Sequence, residues 1–99
     1  MMLLTAELRK KLPKLYSQEK VKDPIVWMKM FCPWNRWTWY ILEYDKKDTF
    51  FGYVIGHEKE LGYISLKELQ SVRGPGGLTI ERDRYFKPTR LSVVKAKLP

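Results

Sequence analysis

The run Trp37-Thr38-Trp39-Tyr40-Ile41-Leu42-Glu43-Tyr44-Asp45-Lys46-Lys47-Asp48-Thr49-Phe50-Phe51-Gly52-Tyr53-Val54-Ile55 decides how this chain folds. Two stretches dense in aromatic and β-branched residues flank a charged tract, which predicts two antiparallel strands joined as a hairpin. Asp45–Asp48 has no central Gly or Asn, so a tight primed turn is disfavoured and a four-residue loop around a type I turn is expected. Pairing Tyr44 with Thr49 assigns the faces by strict alternation. Tyr40, Leu42, Phe51, Tyr53 and Ile55 point one way, and Trp37, Trp39, Ile41, Phe50 and Val54 point the other. Neither face is polar. Such a sheet must be covered on both sides or must offer one side to a partner.

Working outward from the hairpin, Ile25 to Phe31 reads as one further strand, broken by Cys32-Pro33-Trp34-Asn35-Arg36. Pro24 holds Asp23 extended. Nearer the N-terminus, Thr5 is an N-cap, Leu8 and Leu12 share one helix face, and Pro13 ends the helix. On the other side, Gly56 to Glu60 is a polar turn and Leu61 to Ile64 a short strand. Ser65-Leu66-Lys67-Glu68 is a capping box. Its helix runs through Leu66, Leu69 and Val72 and should end with Gly74 at C′. Leu78 to Phe86 reads as an exposed segment or edge strand, and Leu91, Val94 and Leu98 keep the spacing of a short amphipathic tail helix. The expected fold class is α+β: one domain over residues 1–99, with a small antiparallel sheet of three to five strands packed with two or three short helices.

The chain has 99 residues, 44% hydrophobic and 14% aromatic, enough for one core without disulfide or metal staples. Cys32 is the only cysteine and reads as a small, semi-buried hydrophobe. No apolar run approaches membrane-spanning length. The opening Met1 to Leu4 is too short for a signal peptide and is followed at once by Glu7, Arg9, Lys10 and Lys11, so a cytoplasmic protein is expected.

The net charge is +8, and its placement matters more than its size. Residues 1–22 carry +4, residues 23–72 carry −1 and residues 73–99 carry +5. If the two ends lie together, as they often do in small domains, the excess merges into one surface suited to a polyanion.

Candidate chemistry is sparse. His57, the only histidine, sits in a turn beside Glu58 and Glu60, too few ligands for a metal site on their own. Gly74-Pro75-Gly76-Gly77 follows a helix and lacks the Lys-Ser/Thr of a phosphate loop, so it reads as a structural turn. Glu81 and Asp83 alternate with Arg82 and Arg84, which suits ion pairing better than metal binding. No serine or cysteine has an identifiable base. The expectation is a non-enzymatic protein with no cofactor and no metal. What remains is the interleaving of Trp27, Lys29, Trp34, Arg36, Trp37, Trp39 and Tyr40, since bases stack on rings while Lys and Arg contact phosphates. The candidate nucleic-acid contacts are Lys10, Lys11, Lys14, Trp34, Arg36, Tyr40, Arg82, Arg84, Lys87 and Arg90. Trp34 is the tryptophan expected to be exposed. The alternative is a protein-interaction module, an inhibitor or adaptor acting on another protein, because interfaces favour Trp, Tyr and Arg.

Trp37-Thr38-Trp39-Tyr40 and the central run Phe50 to Leu66 carry a resemblance, strengthened by Arg73-Gly74-Pro75, Ile80 to Asp83, Phe86-Lys87-Pro88 and the Leu3-to-Leu12 opening. Across nearly its whole length the chain resembles a family of small domain-of-unknown-function proteins carried on bacterial plasmids, conjugative elements and phages. The short Asp45–Asp48 turn departs from relatives, which usually have a longer, acidic insertion there. The resemblance implies no activity and no site residues. It implies a setting, that of accessory proteins of mobile DNA, which often bind nucleic acid or interfere with host defence proteins. In that setting the partner of the alternative module is a host or element-encoded protein.

Overall fold

The computed structural model describes residues 2–98, which form α1 (Ala6–Lys11), β1 (Ile25–Val26), β2 (Met28–Phe31), β3 (Thr38–Tyr44), β4 (Thr49–Ile55), β5 (Lys59–Ser65), α2 (Leu66–Ser71), β6 (Glu81–Arg82), β7 (Thr89–Arg90) and α3 (Leu91–Ala96). Five strands make one antiparallel sheet in the order β5-β4-β3-β2-β6, and β1 pairs with β7 separately. The class is α+β, with the main sheet at five strands and three short helices.

The apolar runs on both sides of the sheet are covered. One core joins Trp39, Ile41, Tyr44, Phe50 and Ile64 to Leu3 and Leu12 around α1, Leu69 of α2 and Ile80. The other joins Tyr40, Leu42 and Tyr53 to Val26 and to Leu91 and Val94 of α3. These are the two faces that alternation separates, with one exception. Thr38 to Ile41 pair with Ile55 to Gly52 in the register expected, but a bulge between Ile41 and Glu43 shifts the rest. Tyr44 therefore lies opposite Phe50 rather than Thr49, and their rings stand 4.7 Å apart on one face. A bulge adds one unpaired residue, so strict alternation fails beyond it.

The hairpin loop is not a solvated tract. Asp45 Oδ1 accepts from the backbone N–H groups of Lys47, Asp48 and Thr49. Lys46 adopts a left-handed φ of 68°, and its Nζ donates to the carbonyls of Arg9 and Leu12 at the end of α1. Asp48 accepts from Ser65 Oγ at 2.6 Å and from Lys67 N at 2.8 Å, at the start of α2. One loop thus caps two helices whose orphan carbonyls and amides need partners. The expected caps are present at Thr5, which accepts from Leu8 N, and at Ser65, which accepts from Glu68 N.

Several expected elements differ. Ile25 to Phe31 is two strands, because Val26 pairs with Thr89 of the tail while Met28 onward pairs with β3, and Trp27 N crosses to the Ile41 carbonyl between them. β5 is longer than Leu61–Ile64, since all seven residues pair along β4. Gly74 is not a left-handed cap: α2 ends at Ser71, and Gly74 has a φ of −101°. Between Leu78 and Phe86 only Glu81–Arg82 is a strand, at the sheet edge, and Ile80 is buried in the core.

Candidate nucleic-acid interface

β6 pairs antiparallel with β2, setting Arg82 opposite Met30, and Asp83 N then donates to the Lys29 carbonyl. The chain turns at once. Asp83 Oδ1 accepts from Tyr85 N at 2.9 Å, the side-chain turn that Asp favours. This throws Tyr85 outward, 86% exposed, and brings Phe86 inward against Tyr40, with ring centroids 6.2 Å apart. Lys29 alternates with the buried Met28 and Met30, so its side chain takes the opposite face, where Nζ sits 5.7 Å above the Tyr40 ring.

This turn divides three adjoining clefts. A cleft of about 300 Å³ is lined by Lys11 and Glu7 of α1 together with Arg82, Asp83 and Arg84. The next, about 410 Å³, lies between Lys29, Phe31, Arg84 and Tyr85. The third, about 630 Å³, runs past Tyr85 to Lys87 and to Lys97 behind α3. The two cationic ends of the chain therefore meet: Arg82 Nε donates to the Met2 carbonyl, and Lys11 shares a cleft with Arg84. Lys11 also pairs with Glu7 at 2.8 Å, and its ammonium holds the Glu7 carboxyl below its ordinary range through that hydrogen bond.

Of the residues expected from sequence, Lys11, Arg82, Arg84 and Lys87 are brought together here. Tyr40 lines the third cleft but is buried beneath Phe86 and Lys29, and burial pushes its hydroxyl pKa up, so its ring is not an open platform. Trp34 is half-buried rather than exposed. It packs on the core with Gly74 against its ring, where an added Cβ would lie 2.4 Å from the indole. Arg36 is exposed in that same loop. Lys10 is on the exposed side of α1, Lys14 is close enough to Lys46 to lower its pKa after burial and Arg9, and Arg90 lies beside Asp23. Every tryptophan is at least half-buried. Tyr85 and Lys97 were not expected from the sequence, and Lys29 was expected only as part of the interleaved aromatic and basic cluster. The usable signal was an aromatic two residues after an Asp inside an ionic run, which marks an outward turn.

The other candidate groups have structural settings. Cys32 is buried, and desolvation raises its thiol pKa against the opposing Asn35 hydrogen bond. The His57 ring meets Trp37 edge-on at 5.5 Å. Among the described residues no group of three His, Cys, Asp or Glu side chains is placed to hold a metal ion, and no helix is long and apolar enough to cross a membrane.

Fold and surface define a small α+β domain with two covered sheet faces and a basic cleft system at one sheet edge. Residues 3–97 match the family described as Protein of unknown function (DUF2958), and the chain belongs to that family. No curated protein and no solved structure matches it.

Proposed function

We infer that this protein is a non-enzymatic, nucleic-acid-binding accessory protein of a mobile genetic element. The observation that carries the binding is the convergence of Lys11, Lys29, Arg82, Arg84, Lys87 and Lys97 around the exposed ring of Tyr85. Cations lining connected clefts contact successive phosphates, and a projecting ring takes an unstacked base. Glu7 and Asp83 temper the surface and hold its shape rather than reverse its sign. The mobile-element setting rests on the resemblance carried by the central run.

Fluorescence anisotropy with single- and double-stranded oligonucleotides tests the binding. Affinity should fall as salt rises, with a log–log slope of about −0.7 to −0.9 per phosphate neutralised. No binding of DNA or RNA at low salt would refute it.

A further inference from the structure

The opposite end of the sheet has a different character. β5 is the terminal strand and pairs with β4 alone. Leu66 N donates to the Asp48 carbonyl and Gly56 N to the Glu58 carbonyl, which sets the phase of the ladder. Antiparallel pairs alternate between inward and outward backbone groups, so Glu60, Gly62 and Ile64 bond to β4 while Leu61 and Tyr63 turn theirs to the open edge. Its charged residues, Lys59 and Glu60, lie at one end of the strand, and the stretch from Leu61 onward is uncharged. Its seven pairs run without a register shift, it contains no proline, and the space around Gly62 is open. Leu61 and Tyr63 are 49% and 59% exposed, and they share a cleft of about 400 Å³ with the exposed Tyr16 and Val21. A long, flat edge with apolar side chains is a template for another strand.

Charge selects the occupant. The protein is +8 overall, yet His57 to Glu68 carries Glu58, Glu60 and Glu68 against Lys59 and Lys67. β5 lies four strand spacings from β6, so the basic clefts are roughly 19 Å away. A second copy meets this edge without the repulsion it would meet at the other. We propose that two copies associate edge to edge through β5, antiparallel and centred on Gly62. That register sets Leu61 of each copy against Tyr63 of the other, both pairs with outward backbone groups, so both exchange hydrogen bonds. A two-residue slip leaves a single pair drawn from Leu61 and Tyr63 alone, Leu61 on Leu61 or Tyr63 on Tyr63, and sets the others against Lys59 or Ser65. The same register sets Glu60 against Ile64 and brings Glu58 beside Lys67 of the second copy. The product is a ten-stranded sheet with a basic cleft system at each far end.

Sedimentation velocity on nucleic-acid-free protein tests this, together with amide hydrogen exchange. The expected result is a monomer–dimer equilibrium across the micromolar range, as a small interface gives. The amides of Leu61 and Tyr63 slow as dimer accumulates, while those of Gly62 and Ile64 do not change. Tyr63→Lys and, separately, Leu61→Lys should weaken dimerisation roughly tenfold or more while leaving the melting temperature near wild type. A monomer at every concentration overturns the proposal. So does a dimer whose Leu61 and Tyr63 amides still exchange fast, or one that both lysine variants leave intact.

Discussion

Arg82 Nε lies 3.4 Å from the Met2 carbonyl oxygen, a contact between positions eighty residues apart. It joins the segment leading into α1 to the β6 turn. Lys11 from the first cationic stretch meets Arg82, Arg84 and Lys87 from the second on one surface at the β2–β6 edge, with Tyr85 at its centre. Folding therefore concentrates charge that composition only counts.

Tyr85→Ala separates stacking from charge. The ring is almost fully exposed, so the melting temperature should stay within error of wild type. Affinity for a single strand should drop by about 1–3 kcal/mol, and affinity for a duplex by less, because paired bases are not free to stack. Equal losses on the two substrates, measured by anisotropy, would remove Tyr85 from the site.

Glu43 is 4% exposed, and its two carboxylate oxygens accept from Tyr16 N at 2.8 Å and Gln18 N at 2.7 Å. It clamps the loop after α1, where Tyr16 has a left-handed φ of 69°. Glu43→Ala orphans two amides and should destabilise the protein by about 2–3 kcal/mol. Glu43→Gln keeps one acceptor and should fall between. Urea unfolding of the three proteins decides the order.

Gly52 and Gly62 face each other across β4 and β5 but differ in what stands behind them. A Cβ at Gly52 would lie 2.4 Å from the Tyr40 carbonyl oxygen, part of the β3 backbone, whereas one at Gly62 meets open space. Gly52→Ala should cost about 3 kcal/mol. Gly62→Ala should stay within about 1 kcal/mol of wild type, on the stabilising side. Denaturation midpoints showing the reverse order would contradict the β3–β4 register.

Acid should loosen the helix anchors. The Ser65 hydroxyl and then Lys67 N hold the Asp48 carboxyl below its ordinary value, and the Ser92 hydroxyl and N–H do the same for Asp23. For a depressed pKa, the stabilisation is complete above the unfolded-state value, about 3.9, and is lost as pH falls through the lower folded-state value. Melting temperature should therefore decline below about pH 4, and Asp48→Asn with Asp23→Asn should flatten that decline. An unchanged acid slope in the double variant would show that these two carboxylates do not control it.

The two apolar faces of the hairpin, the Thr5 and Ser65 caps and the tail helix were legible because each depends on residues a few positions apart. Tyr44 was not, because the bulge at Leu42 is a sheet-level event with no local signature. Nor was Glu43, a carboxylate in an apolar strand whose partners lie on a loop 25 and 27 residues earlier. Trp34 looked exposed from its Pro, Asn and Arg neighbours, but Gly74, forty positions away, closes over it. The basic surface was legible as charge and not as place, since adjacency of the termini is tertiary. Tyr85 owes its exposure to one Asp83 hydrogen bond.

Charge reversal at the two sheet edges tests the central claim most directly. Arg84→Glu with Lys87→Glu alters the cleft system, while Lys59→Glu with Lys67→Glu makes the same change in net charge at β5 and α2. Salt-dependent anisotropy with one labelled oligonucleotide should show the first pair losing affinity by more than tenfold and its salt slope shrinking by about 1–2, with the second pair close to wild type. Equal losses from both pairs would mean that total charge, and not the surface built around Tyr85, governs binding.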